Sequence, residues 1–265
     1  MRHLFILSLA ALTATPAFAA PVTIADATDD IAYSSDSGQP TGYFGSSSRG
    51  DYIGADFNTN SITVNRTAVT GGTLFDFQLS TQFDGHETIG AYTVNYADLF
   101  LRTPSTGTPA GTFNYAVVLG DQTSNGGLAT AGLYATPTYE TSSQIWNGRS
   151  GYTYGGEFVQ SGASAGTAAP IATVATGGSW LSDAAVTRSG NAASGYIEDV
   201  SFVLSPGQAA AFANGFDVLW GTGDCGNDAV FGTVGPAAVP EPGTLALVAS
   251  GAVGMVALRR ARTRA

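Results

Sequence analysis

The chain contains no lysine, one cysteine (Cys225) and two histidines, His3 and His86, in 265 residues. Each scarcity removes a class of chemistry. A single cysteine excludes an intramolecular disulfide framework and any cysteine-based zinc cluster. With ten arginines against 20 acids the formal charge is −10; a phosphate backbone would repel such a chain, so nucleic acid is not an expected partner. Charged residues make up 11% of the sequence, less than half of the about 25% found in an average soluble domain. Disorder is excluded too, because 44% hydrophobic and 11% aromatic residues supply enough apolar surface for a core. Glycine, with 35 residues, is about twice as frequent as usual.

The longest apolar runs lie toward the two ends. Residues 1–19 read as a secretory signal peptide: Arg2 supplies the positive charge, Leu4–Leu12 the apolar region, Pro16 a helix break and Ala17-Phe18-Ala19 the small-x-small cleavage site. Cleavage after Ala19 leaves Ala20 at the mature N-terminus. At the other end, Val239-Pro240-Glu241-Pro242-Gly243 precedes an uncharged stretch of 15 residues, Thr244–Leu258, and then Arg259, Arg260, Arg262 and Arg264. Fifteen helical residues reach about 22 Å, short of a hydrocarbon core of about 30 Å. The expected hydrophobic helix therefore spans a membrane only if it starts nearer Pro242 and its arginines snorkel. The arginines belong on the cytoplasmic side, which leaves the body facing outward.

This tripartite end resembles the PEP-CTERM sorting signal of Gram-negative bacteria: Pro240-Glu241-Pro242, the apolar helix and the arginine cluster, about 26 residues in all. The resemblance implies recognition by an exosortase, a membrane-embedded cysteine transpeptidase or protease, with cleavage at or near the motif. It implies export, a transient inner-membrane anchor, and a cell-surface or matrix location linked to exopolysaccharide and biofilm. The same tail also goes by the name of an ice-binding-protein C-terminal domain, a label for the signal that implies no ice binding.

Residues 20–238 form the expected ectodomain and 239–265 the sorting signal. Residues 20–239 hold 19 acids against five arginines, a formal charge of −14, which suits a soluble extracellular body and attracts divalent cations. Period-2 patterning dominates it. In Thr73–Phe83, Phe75, Phe77, Leu79 and Phe83 share one face, and Asp76, Gln78, Ser80 and Gln82 the other. Ser61–Val69, Tyr92–Leu101, Phe113–Leu119, Tyr152–Val159, Tyr196–Leu204, Phe216–Trp220 and Ala229–Val234 read as further strands, joined by Gly-, Ser-, Thr- and Asn-rich turns. One short helix is signalled by Ser205 at the N-cap, Pro206 at N1 and Gly215 beyond its end. Ser161–Ala169 reads as a low-complexity loop. The expected fold is all-β: an antiparallel sandwich, jelly-roll-like or lectin-like, with one short helix and a C-terminal hydrophobic helix.

Chemistry is sparse. His86 follows Asp84-Gly85, which reads as a hairpin turn, and is expected to be a turn residue rather than a base. Glu198 and Asp199 are adjacent and point to opposite faces, and the body's four glutamates are isolated in sequence; a glycosidase pair would have to converge from distant strands. Cys225 sits between Asp224 and Asp228, which raise a thiol pKa, so it is not an expected nucleophile. Its segment, Trp220–Asp228, resembles a stretch found before the sorting signal in many such surface proteins. Asp224, Asn227 and Asp228 are candidate Ca²⁺ ligands on a Gly-rich loop, although a tight turn is the favoured reading and no cofactor is expected. Tyr43, Phe44, Tyr52, Trp146, Tyr152, Tyr154 and Trp180 are candidate sugar-stacking residues. The reading is a non-enzymatic, exosortase-sorted surface or matrix protein. The alternatives are an extracellular polysaccharide-binding module, with or without Ca²⁺, and a secreted glycan-active enzyme.

Overall fold

The computed structural model describes residues 20–26, 31–33, 58–89, 92–104, 112–141, 144–145, 156–158, 169–170, 172–221 and 229–236. In chain order its strands are β1 (Val22–Ala25), β2 (Ile31–Tyr33), β3 (Thr59–Val69), β4 (Gly72–Thr81), β5 (His86–Ile89), β6 (Tyr92–Asn95), β7 (Leu99–Arg102), β8 (Tyr115–Val118), β9 (Gly132–Thr141), β10 (Gly156–Phe158), β11 (Ala169–Pro170), β12 (Ala172–Asp183), β13 (Ala185–Asn191), β14 (Gly195–Leu204), β15 (Phe216–Gly221) and β16 (Ala229–Val234). Two large antiparallel sheets dominate. One has the order β1-β3-β4-β14-β13, the other β12-β9-β8-β7-β15-β16. A three-stranded sheet, β11-β10-β2, and the ribbon β5-β6 complete the set.

The alternation in β4 does what its pattern dictates. Phe75, Phe77 and Leu79 are buried, while Gln78 is exposed. On the flanking strands Ile62 and Val64 of β3 and Val200, Phe202 and Leu204 of β14 are buried on the same side. From the second sheet Leu99, Leu101, Val117, Leu133, Phe216, Val218, Trp220, Val230 and Val234 meet them in one core. Phe75 stacks on Phe202 with ring centroids 5.4 Å apart and meets the edge of Phe212 at 5.3 Å. Such pairs add to the area they bury. The second sheet is buried on its other face as well, by a cluster around Phe100, Ala116, Val118, Leu219 and Ala229. The antiparallel sandwich expected from the sequence is therefore present.

The short helix is also present. Its α1 turn, Pro206–Ala209, runs on into a 3₁₀ turn at Ala210–Phe212. Gln208 reaches back to accept the Ser205 N–H at 3.1 Å, and the segment carries the chain from β14 in one sheet to β15 in the other.

Other expectations need correction. The run Tyr92–Leu101 is not one strand: β6 pairs with β5, β7 pairs with β8 and β15, and the chain breaks at 96–98. The break has a side-chain cause, because Asp98 and Tyr96 bond to backbone outside their own strands. Asp84-Gly85 is not a hairpin turn either. It links β4, which pairs with β3 and β14, to β5, which pairs with β6. Three long strands were hidden from the alternation test. β9 contains Pro137 and a left-handed Thr136 (φ 47°). β12 contains Gly177-Gly178 and slips register four times against β9. β13 lies at a sheet edge with mostly exposed side chains. The hydrophobic C-terminal helix, residues 161–168 of the low-complexity stretch and most of Tyr152–Val159 lie outside the described residues. No helix among the described residues is long and apolar enough to cross a membrane.

Candidate functional site

Charge is brought together at one place, where the two sheets meet beside β13. Glu198 lies on β14 two residues before Val200, so its side chain shares the inward face with Val200, Phe202 and Leu204. It is fully buried. Its partner directly across the strand pair is Arg188 of β13. Arg188 donates from Nε at 3.2 Å and from Nη2 at 2.9 Å to Glu198 Oε1. The same Nη2 reaches Asp121, in the loop after β8 of the opposite sheet. The guanidinium also lies over the ring of Tyr96, 4.6 Å from its centroid, a distance at which cation and π-face attract. One arginine thus ties an edge strand of the first sheet to the second sheet through a carboxylate and an aromatic ring.

Beneath it lies Asp98, also buried. Its Oδ1 accepts the Leu119 N–H at 2.9 Å and its Oδ2 the Ala175 N–H at 2.8 Å. The Asp98 N–H in turn donates to the Thr173 carbonyl at 2.9 Å. Asp98 therefore serves as a side-chain rung between the end of β8 and β12. The surrounding backbone is pinned in the same way. Tyr96 donates its hydroxyl to the Phe83 carbonyl at 2.6 Å, Trp220 Nε1 donates to the Ala97 carbonyl at 3.1 Å, and Gln122 Nε2 donates to the Tyr96 carbonyl. Gly85 (φ +79°) is needed here, since a Cβ would run into the Tyr96 ring.

The electrostatics follow from burial. Burial pushes the Asp98 carboxyl up to about 7, against the pull of its two backbone N–H bonds and with a further push from Asp121. Burial likewise pushes Glu198 up to about 7; Arg188 opposes this, and Asp121 and Asp98 add to it. Glu198 Oε2 has no hydrogen-bond partner, which fits a carboxyl that is easily protonated there. Burial lowers the Arg188 guanidinium, but Glu198 and Asp121 outweigh it and hold it above its usual value. Burial, then Glu198, raises the Tyr96 phenol.

Glu198, isolated in sequence, is not isolated in space: Glu198 and Asp121 converge on one arginine, and Asp98 lies close enough to Glu198 to push its carboxyl up. Two signals for this were readable. Glu198 occupies an inward position on an otherwise apolar strand face, and Asp98 is the lone acid in the run Tyr96–Leu101. Asp121 and Arg188 carry no such signal. His86 is exposed at the start of β5, its N–H bonded to Asp84 Oδ1 at 2.9 Å and its Nδ1 3.4 Å from Asn95 Oδ1. It is a strand residue paired with Asn95, not the turn residue expected from Asp84-Gly85. Trp180 is exposed on β12. Ala20 is exposed ahead of β1. Ala19, Asp224, Cys225, Asn227, Asp228, Pro240, Glu241, Pro242, Arg259, Arg260, Arg262, Arg264 and the candidate aromatics other than Trp180 lie outside the described residues. Among the described residues no group of three His, Cys, Asp or Glu side chains is placed to hold a metal ion.

No curated protein and no solved structure matches the chain. Residues 238–261 match the PEP-CTERM protein-sorting motif, a span that contains Pro240-Glu241-Pro242 and runs to Ala261. That motif implies export, a membrane-associated sorting step and recognition by an exosortase. The chain is thus a protein that carries a PEP-CTERM protein-sorting motif beyond an antiparallel β-sandwich body.

Proposed function

We propose that this is an exosortase-sorted protein of the cell surface or extracellular matrix, whose sandwich body acts there without catalysis and in association with exopolysaccharide and biofilm. The observation that carries the reading is the sorting motif at residues 238–261 attached to a body of formal charge −14. The buried acid cluster supports a non-enzymatic body. Glu198 and Asp98 are 0% and 1% exposed, so they face the sandwich interior rather than an open cleft. Asp98 is committed to two backbone N–H groups and Glu198 to Arg188. A glycosidase acid needs to reach a bound sugar, and these two are spent on holding the sheets together.

In this reading the Pro240–Pro242 motif, the apolar run and the arginines act as one signal. The anchor crosses the inner membrane transiently and is removed after export. Replacing Pro240-Glu241-Pro242 with three alanines in a cell that has an exosortase should leave the tail attached. Intact mass of the surface fraction reads this directly. Identical masses for the variant and the parent protein would overturn the sorting assignment.

A further inference from the structure

Trp180 is the most exposed large apolar side chain among the described residues, at 54%. It is also held in an unusual way. Its strand partner is Tyr134 of β9, and the residue two before Tyr134 on the same face is Gly132. A Cβ on Gly132 would lie 3.3 Å from the indole Nε1, 3.4 Å from Cδ1 and 2.7 Å from the Ser182 carbonyl oxygen. The indole therefore rests on bare backbone, in a space that any side chain at 132 would fill. Tyr134 is buried alongside, with its hydroxyl donating to the Thr130 carbonyl at 3.1 Å.

The strand that carries it is built of small and hydroxyl residues. Along β12 the sequence neighbours are Gly177, Gly178, Ser179 and Ser182; the Ser182 hydroxyl donates to the Val203 carbonyl at 3.0 Å, and farther out Thr176 and Thr138 pair their hydroxyls at 3.2 Å. The result is a single aromatic plate, backed by main chain on a strand of glycine and hydroxyl residues. A protein partner would leave much of such a surface unmatched, because interface cores favour contiguous apolar anchors. A pyranose presents an apolar C–H face edged by hydroxyls, which is the complement of this surface. Charge selects further: Asp183 follows on the same strand and the body carries −14 with no lysine, so an anionic sugar is disfavoured.

We propose that Trp180 is the stacking platform of a binding site for neutral polysaccharide, with Gly132 as its seat. This rests on the exopolysaccharide reading given above and names its site. The test is affinity electrophoresis of the exported protein through gels containing dextran, a neutral β-glucan or alginate. The neutral glycans should retard the parent protein more than alginate does. Trp180→Ala should weaken that retardation at least about tenfold, the loss of roughly one good contact, and Trp180→Phe should retain part of it. Because the side chain is exposed, both variants should melt with the parent protein. Retardation of the parent protein that persists unchanged in Trp180→Ala would overturn this site and leave the polysaccharide reading standing. Absence of retardation of the parent protein by every glycan would overturn both, and stronger retardation by alginate would overturn the preference for neutral sugar.

Discussion

Phe77 and Gln78 are neighbours on β4 with opposite environments. Phe77 is fully buried, stacked on Phe202 at 5.8 Å and tilted against Phe216 at 6.3 Å. Gln78 is exposed, and its side chain donates across the surface to Asp199 Oδ1 at 3.2 Å. Phe77→Ala leaves a cavity between two sheets that cannot close over it, so it should cost about 3–5 kcal/mol. Gln78→Ala should stay within about 0.5 kcal/mol. Urea unfolding of the two variants checks this, and equal losses would mean that the strand faces are assigned wrongly.

Among the elements, β13 is the one whose hold on the molecule depends on charge. It pairs on one side with β14 and presents mostly exposed side chains. Arg188 adds the tie to the other sheet, through Glu198, Asp121 and the Tyr96 ring. Unfolded, Glu198 and Asp98 titrate near the ordinary carboxyl range of about 4; folded, both are pushed up to about 7. Between those values the folded body binds more protons than the unfolded chain, so its stability falls as pH rises. The contribution is complete below about pH 4 and lost as pH passes through about 7. The body should therefore melt at a higher temperature at pH 5 than at pH 8, each kcal/mol counting for about 2–4 °C in a body of this size. Glu198→Gln, which keeps the shape and an acceptor for Arg188 but cannot ionise, should reduce that difference. Differential scanning calorimetry at the two pH values measures it. A pH dependence unaltered in the glutamine variant would place its origin in the general acidity of the body rather than at this seam.

For the molecule as a whole, electrostatics are lopsided. All three arginines of the body that the structure describes are engaged: Arg66 with the Phe212 and Gly235 carbonyls, Arg102 with Asp217, and Arg188 with Glu198 and Asp121. The remaining acids repel one another, and any cation relieves that repulsion to some degree. A dedicated Ca²⁺ site would do more, raising stability by RT ln(1 + [L]/Kd), about 2.7 kcal/mol at a hundredfold excess over Kd. We expect melts in Ca²⁺ and in NaCl of matched ionic strength to coincide. A Ca²⁺-specific rise that disappears in the Asp224→Asn, Asp228→Asn double variant would instead establish the Gly-rich loop as a metal site.

What could be read from the sequence alone was whatever depends on local order along the chain. The sorting motif is a linear signal, and the apolar faces of β4 (Phe75, Phe77, Leu79), of β3 (Ile62, Val64) and of β14 (Val200, Phe202, Leu204) are written as alternation, since these residues meet the same apolar layer. The capping of α1 by Ser205 and Gln208 is equally local. Tertiary structure decided the rest. β9 and β12 pair despite Pro137, Gly177 and Gly178, because burial on the second sheet outweighs poor strand propensity. The break between β6 and β7 exists because Asp98 and Tyr96 find backbone partners outside their own strands, at Ala175, 77 positions away, and at Phe83, 13 positions away. Above all, Glu198, Asp98, Asp121 and Arg188 become one cluster only when the sheets close, since interaction between residues up to 100 positions apart, as between Asp98 and Glu198, is a property of the packing and has no local trace in the chain.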